Sequence, residues 1–110
     1  MGATSASRLR VQEQAIATTR AQLRTQEQLV EQSHRQLQEQ ERLLARTREQ
    51  LQVHAQDSPV VRQQLQQQEQ MQQRMLEQLR DQSRLQEQVR DRLLEQDQVQ
   101  QRTRDRLLTP

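Results

Sequence analysis

Two histidines, a recurring row of glutamates and seventeen arginines are the groups through which this 110-residue chain would act on other molecules. His34 and His54 stand twenty residues apart with no His-x-x-x-His or cysteine companion, so the ligand spacing of a metal site is missing. Glu13, Glu27, Glu41 and Glu69 recur with a sequence repeat, and Arg20 and Arg48 follow Glu13 and Glu41 by seven residues. Carboxylates arrayed in this way are flanking ion-pair positions. A general acid and base would need a sheltered pocket that drives two pKa values apart, and nothing in the pattern builds one. Glycine-rich phosphate loops and nucleophile motifs are also absent. The expectation is a chain that is not an enzyme and has no catalytic, metal-binding or cofactor-binding residue.

All 17 basic residues are arginine, and Arg102, Arg104 and Arg106 cluster toward the end, which makes phosphate contact the more serious chemistry to weigh. Fifteen acidic residues are interleaved with them, the net charge is only +2, and there is no aromatic ring to stack on a base. A mixed-charge solvated helix surface accounts for the arginines better, and an Arg-rich nucleic-acid-binding helix stands as an alternative.

The elements that would carry these charges come from a 14-residue unit written three times over residues 9 to 50: LRVQEQAIATTRAQ, LRTQEQLVEQSHRQ, LQEQERLLARTREQ. Leu9, Leu23 and Leu37 open the copies, and the frame runs on through Leu51, Leu65, Leu79, Leu93 and Leu107. Fourteen residues make four turns at 3.5 residues each, the period of a left-handed coiled coil. Glycine occurs once and proline twice, whereas Gln accounts for 28 residues. Leu, Arg, Glu and Gln lose little rotamer freedom in a helix, so long uninterrupted helices are expected. Leu, Val, Ile and Met total 26 residues and no aromatic is present, which argues against a compact globular core. No apolar run is long enough to span a membrane, so the expectation is a soluble protein, cytoplasmic by default.

The break falls at Asp57-Ser58-Pro59. Proline is tolerated at the first position of a helix, and Ser58 before it is a good N-cap. We therefore expect an N-terminal tail and cap over 1–7 with Ser5 or Ser7 capping, a first arm over 8–56, a turn at 57–59 and a second arm over 60–108. Folded back as an antiparallel hairpin, Leu9 faces Leu107, Leu23 faces Leu93, Leu37 faces Leu79 and Leu51 faces Leu65, pairs whose numbers all add to 116. Ile16 with Val99, Val30 with Leu85 and Leu44 with Met71 add to 115. A single kinked rod is the competing architecture, favoured by the lack of a glycine in the turn.

In the first arm every second seam position is polar: Gln12, Thr19, Gln26, Ser33, Gln40, Thr47 and His54. In the second arm whole layers alternate, with Val61 and Leu65, Met75 and Leu79, and Val89 and Leu93 apolar, and Gln68 and Gln72, Gln82 and Gln86, and Gln96 and Gln100 polar. Gln12, Gln26, Gln40, Gln68, Gln82 and Gln96 are the expected register residues, because a buried carboxamide must find a partner. Ala15, Leu29, Leu43, Met71, Leu85 and Val99 widen the stripe beyond a two-helix seam. The expected interface comprises Leu9, Ile16, Leu23, Val30, Leu37, Leu44, Leu51, Leu65, Met71, Met75, Leu79, Leu85, Val89, Leu93, Val99 and Leu107.

A Gln- and Arg-rich two-helix coiled coil of this size resembles in architecture the stalk proteins of flagellar and type III secretion export machines, and many tethering and scaffold coiled coils. The likeness transfers no functional residue. It implies a helical adaptor or stalk that binds a protein partner. The fidelity of the repeat is also compatible with an engineered coiled coil that has no natural function. The expectation is an all-α hairpin of two long helices that acts as a structural module, pairing into a four-helix bundle or a larger homo-oligomer, with a helical protein partner as the alternative.

Overall fold

A computed structural model describes residues 2–109, and the side chains of residues 5–109. Helix α1 spans Gly2–Val53 and helix α2 spans Pro59–Leu108, and they pack against each other as an antiparallel helical hairpin. Neither contains a proline beyond the first position of α2, so every backbone N–H past the opening turn has its partner four residues back. Among the described residues no helix is long and apolar enough to cross a membrane.

The helix ends depart from expectation in two places. Because α1 already runs through Ser5 and Ser7, neither hydroxyl occupies a cap position. It also stops at Val53, three residues short of Gln56. There the His54 backbone N–H donates to Gln50 O at 2.9 Å, and Asp57 N–H turns back onto His54 O at 3.1 Å. The His54 Nδ1 and Asp57 carboxylate bond across that turn. Ser58 caps α2 as its type predicts: Val60 N–H donates to Ser58 Oγ at 3.3 Å, and Arg62 N–H donates to Ser58 O at 3.1 Å. The chain reverses without a glycine, and no described residue takes a positive φ.

Two compact units make up the hairpin, one formed by the residues up to Val30 with those from Gln86 onward, the other by Glu31–Leu85. Within the Glu31–Leu85 unit, cross-helix contacts join Thr47 to Gln72, Arg48 to Glu69 and Gln73, and Glu41 to Arg80. Within the other, Gln12 and Thr19 meet Gln100, Arg20 meets Asp97, and Gln26 meets Gln86. The numbers of every one of these pairs add to within five of 116.

Burial follows the seven-residue spacing. Between Leu9 and His54 the residues of α1 that escape full exposure are the two expected rows, joined only by Ala15 and Leu43. Ile16, Val30 and Leu44 are each 4% exposed, and Thr19, Ser33 and Thr47 lie as deep. Leu9, Leu23, Leu37 and Leu51 are half-buried. On α2 the row Leu65, Gln72, Leu79, Gln86, Leu93, Gln100 and Leu107 faces the partner helix as expected.

The second row of α2 does not. Glu69, Leu76, Ser83, Arg90, Asp97 and Arg104 turn inward, with Leu76 and Ser83 buried. The expected row of Val61, Met75 and Val89 with Gln68, Gln82 and Gln96 is exposed. Met71, Leu85 and Val99 are 68, 61 and 58% exposed, so they do not form intrachain layers with Leu44, Val30 and Ile16. Helix α2 is thus rolled about its axis by roughly 50°, one seventh of a turn at this period, relative to the expected orientation.

The roll gives Leu76 a weight that its neighbours lack. Leu76→Ala should destabilise the hairpin by about 2–5 kcal/mol, as much as Leu44→Ala, because each leaves a cavity in the seam. Val11→Ala, at a position 63% exposed, should stay within about 0.5 kcal/mol. Urea unfolding followed by circular dichroism checks both; an inert Leu76→Ala would place the seam on the other side of α2.

Candidate functional site: a hydrogen-bonded polar seam between two unlike flanks

A carboxamide or hydroxyl shut between two helices loses its water and costs on the order of 1–3 kcal/mol if nothing replaces it. The hairpin answers with small cross-helix networks. In the unit that holds both chain ends, Thr19 Oγ1 donates to Gln100 Oε1 at 2.7 Å, and Gln12 Nε2 donates to the Gln100 backbone carbonyl at 3.1 Å. Gln26 Nε2 likewise donates to Gln86 O at 3.0 Å. In the Glu31–Leu85 unit, Thr47 Oγ1 lies 2.7 Å from Gln72 Oε1 and 3.1 Å from Leu43 O. Having a single hydrogen, it donates to one of the two at a time. No buried side-chain nitrogen or oxygen among the described residues lacks a partner.

Expected register residues therefore divide. Gln12 and Gln26 make cross-helix bonds and Gln40 is half-buried in the same row. Gln68, Gln82 and Gln96 lie outside the seam, and Gln72 and Gln100 bind in their place. Leu76 and Ser83, absent from the expected set, are the buried pair on α2. A signal for Ser83 was present: small hydroxyl residues also fill the buried positions at Thr19, Ser33 and Thr47, where the helices need room to approach.

The two sides of the seam differ in charge. On one, Arg20 Nε meets Asp97 at 3.4 Å in the first unit, and in the second Arg48 meets Glu69 at 3.9 Å and Arg80 meets Glu41 at 3.6 Å. Asp97 is the most sheltered acid of these pairs, its side chain 15% exposed, and it also accepts from Gln101 Nε2 at 2.7 Å. The arginine partners are about half exposed, so these pairs guide pairing more than they stabilise it. On the opposite side the lining carries no charge. In the Glu31–Leu85 unit Gln40, Leu43, Gln68, Met71, Gln72 and Met75 border an open groove of about 450 Å³. In the other unit Ala21, Gln22, Thr25, Gln26, Val89 and Leu93 border one of about 480 Å³.

No group of three or more His, Cys, Asp or Glu gathers among the described residues. His54 is engaged with Asp57 at the turn. The capability of this arrangement is recognition of one helix surface by another, with hydrogen bonds that are satisfied at one axial offset.

Thr19→Val and Gln100→Leu should each destabilise the hairpin by about 1–2 kcal/mol, and the double substitution by less than their sum, with a coupling of about 0.5–1.5 kcal/mol. Strict additivity in a double-mutant cycle would mean that the 2.7 Å bond contributes nothing. Comparison of the chain with protein-family models, with curated proteins and with solved structures gives no match.

Proposed function

We propose that this chain is a non-enzymatic structural module, a coiled-coil hairpin that self-assembles, in which apolar layers supply affinity and Gln, Ser and Thr layers supply register. The observation that carries the proposal is the pairing of a satisfied interior with an unsatisfied exterior. Polar groups inside the hairpin are bonded, yet large apolar side chains remain in water along the groove side of each unit. In one unit these are Met71, Met75 and Leu85, and in the other Leu29, Val89 and Val99, all 40% exposed or more. Apolar patches rimmed by polar residues are interaction surfaces in most folded proteins. A helix buries a wide apolar stripe only by touching more than one neighbour.

Charge supports the same function over nucleic-acid binding. Arg20, Arg35, Arg42, Arg48, Arg80, Arg90 and Arg104 each lie within 4 Å of a carboxylate, so a phosphate backbone would have to compete for them. Counterion release from an arginine already neutralised contributes little to affinity.

Sedimentation equilibrium should report a mass that rises from one chain to two or more across the micromolar range, with a thermal midpoint that climbs with concentration, as linkage requires. A mass of 13.2 kDa at every concentration would overturn self-assembly. An RNA or DNA complex that weakens steeply with salt would favour the arginine-based alternative instead.

A further inference from the structure

Within the Glu31–Leu85 unit, the seven-residue rows that flank the seam on its groove side run from Gln36 to Gln50 on α1 and from Val61 to Gln82 on α2, and neither contains a charged residue. In a chain that is 29% charged, the opposite flank of the same unit carries Glu41, Arg48, Glu69 and Arg80. Met71 is 68% exposed, Met75 49% and Leu85 61%, and Leu43 closes the groove from α1.

We infer that this uncharged flank of the Glu31–Leu85 unit is the contact surface for a second copy of the chain, which meets it with the same flank about a twofold axis. Three features select that occupant. First, a charged partner would lose its water against Leu43, Met71 and Met75 and find no counter-charge, whereas a second neutral flank buries no charge at all. Second, Val61, Gln68, Met75 and Gln82 repeat, one row over, the alternation of Leu65, Gln72 and Leu79, which α1 of this same chain already accommodates with the Thr47 hydroxyl on Gln72. A surface that alternates apolar and Gln at seven-residue spacing is self-complementary, since a twofold axis can set Gln beside Gln and apolar beside apolar. Third, the flank is continuous with the seam: Gln40 and Gln72 belong to the seam rows and also border the groove. Methionine at the two central positions suits such a surface, because its flexible thioether fills irregular gaps between ridges.

The surface deepens the self-assembly proposed above and rests on it, so the experiment must separate the two. Sedimentation equilibrium would be run on the full chain, on Met75→Glu and on Arg80→Gln, each checked by far-UV circular dichroism. Met75→Glu should weaken association by more than about a hundredfold, because each copy would bury an unpaired carboxylate. Arg80→Gln, on the charged flank, should change it by less than about threefold, and 1 M salt should leave the wild-type assembly in place. Should Met75→Glu associate normally while Arg80→Gln or salt dissolves the assembly, self-association stands and this surface is wrong. A wild-type chain that is monomeric throughout removes both. If Met75→Glu loses its helicity, a single cysteine decides, since the chain has none of its own. Met75→Cys should be joined between copies by a short bismaleimide and Arg80→Cys should not; the reverse pattern overturns the surface.

Discussion

A hydroxyl or carboxamide sealed between two helices can be satisfied only where its partner stands at the right height along the axis, and that constraint fixes this hairpin. Thr19 reaches Gln100 Oε1 and Thr47 reaches Gln72 Oε1, both at 2.7 Å. Moving one helix along the other by a single residue, about 1.5 Å, stretches such bonds past the distance at which they hold. Moving it by seven residues restores the helical face but sets glutamine where leucine belongs, since the repeat is fourteen. Aliphatic layers alone would distinguish these registers weakly, because leucine packs against leucine at either. In the module proposed above the polar layers thus contribute specificity more than stability, the role best attested for buried polar residues between helices.

The same constraint explains how charged residues sit in the inner row of α2. Arg90 and Arg104 face the seam with side chains about one third exposed, and their guanidinium groups reach the neighbouring Asp91 and Asp105 at 3.3 and 3.4 Å. Their aliphatic stems cover the polar layers while the charge stays in water. Thr19, Ser33, Thr47 and Ser83 are small enough to let the helices close beneath. A row that looks unsuited to burial by residue type is therefore compatible with it by atom.

This is also where the sequence misleads. The rows of α1 were legible because an aliphatic residue returns every seven positions from Leu9 to Leu51 and defines its own stripe. The turn was legible from Ser58-Pro59, whose capping and fixed φ act locally, and so was the antiparallel offset, since the bonded cross-helix pairs add to within five of 116. The orientation of α2 was not. Beside the row of Leu65, Leu79 and Leu93 it offers two candidate companions, one with Val61, Met75 and Val89, the other with Leu76, Ser83, Asp97 and two arginines. Counting apolar residues selects the first. Packing selects the second, since Asp97 then meets Arg20 and Glu69 meets Arg48, while Gln72 and Gln100 point at threonines. Hydropathy records the transfer of single side chains and is blind to pairing between helices.

The residues that hydropathy selects are still apolar, and the roll of α2 sets them on the outside. An interior row traded for charged stems and hydroxyls, with valine and methionine left in water, is a poor arrangement for a hairpin that remains alone. Apolar area exposed in this way forfeits roughly 25 cal/mol for each Å² that burial would remove from water. The self-assembly proposed above accounts for it: a further helix covering the outer row supplies the burial that the hairpin by itself lacks, while the bonds of Gln72 and Gln100 to the threonines of α1 stay undisturbed in the seam.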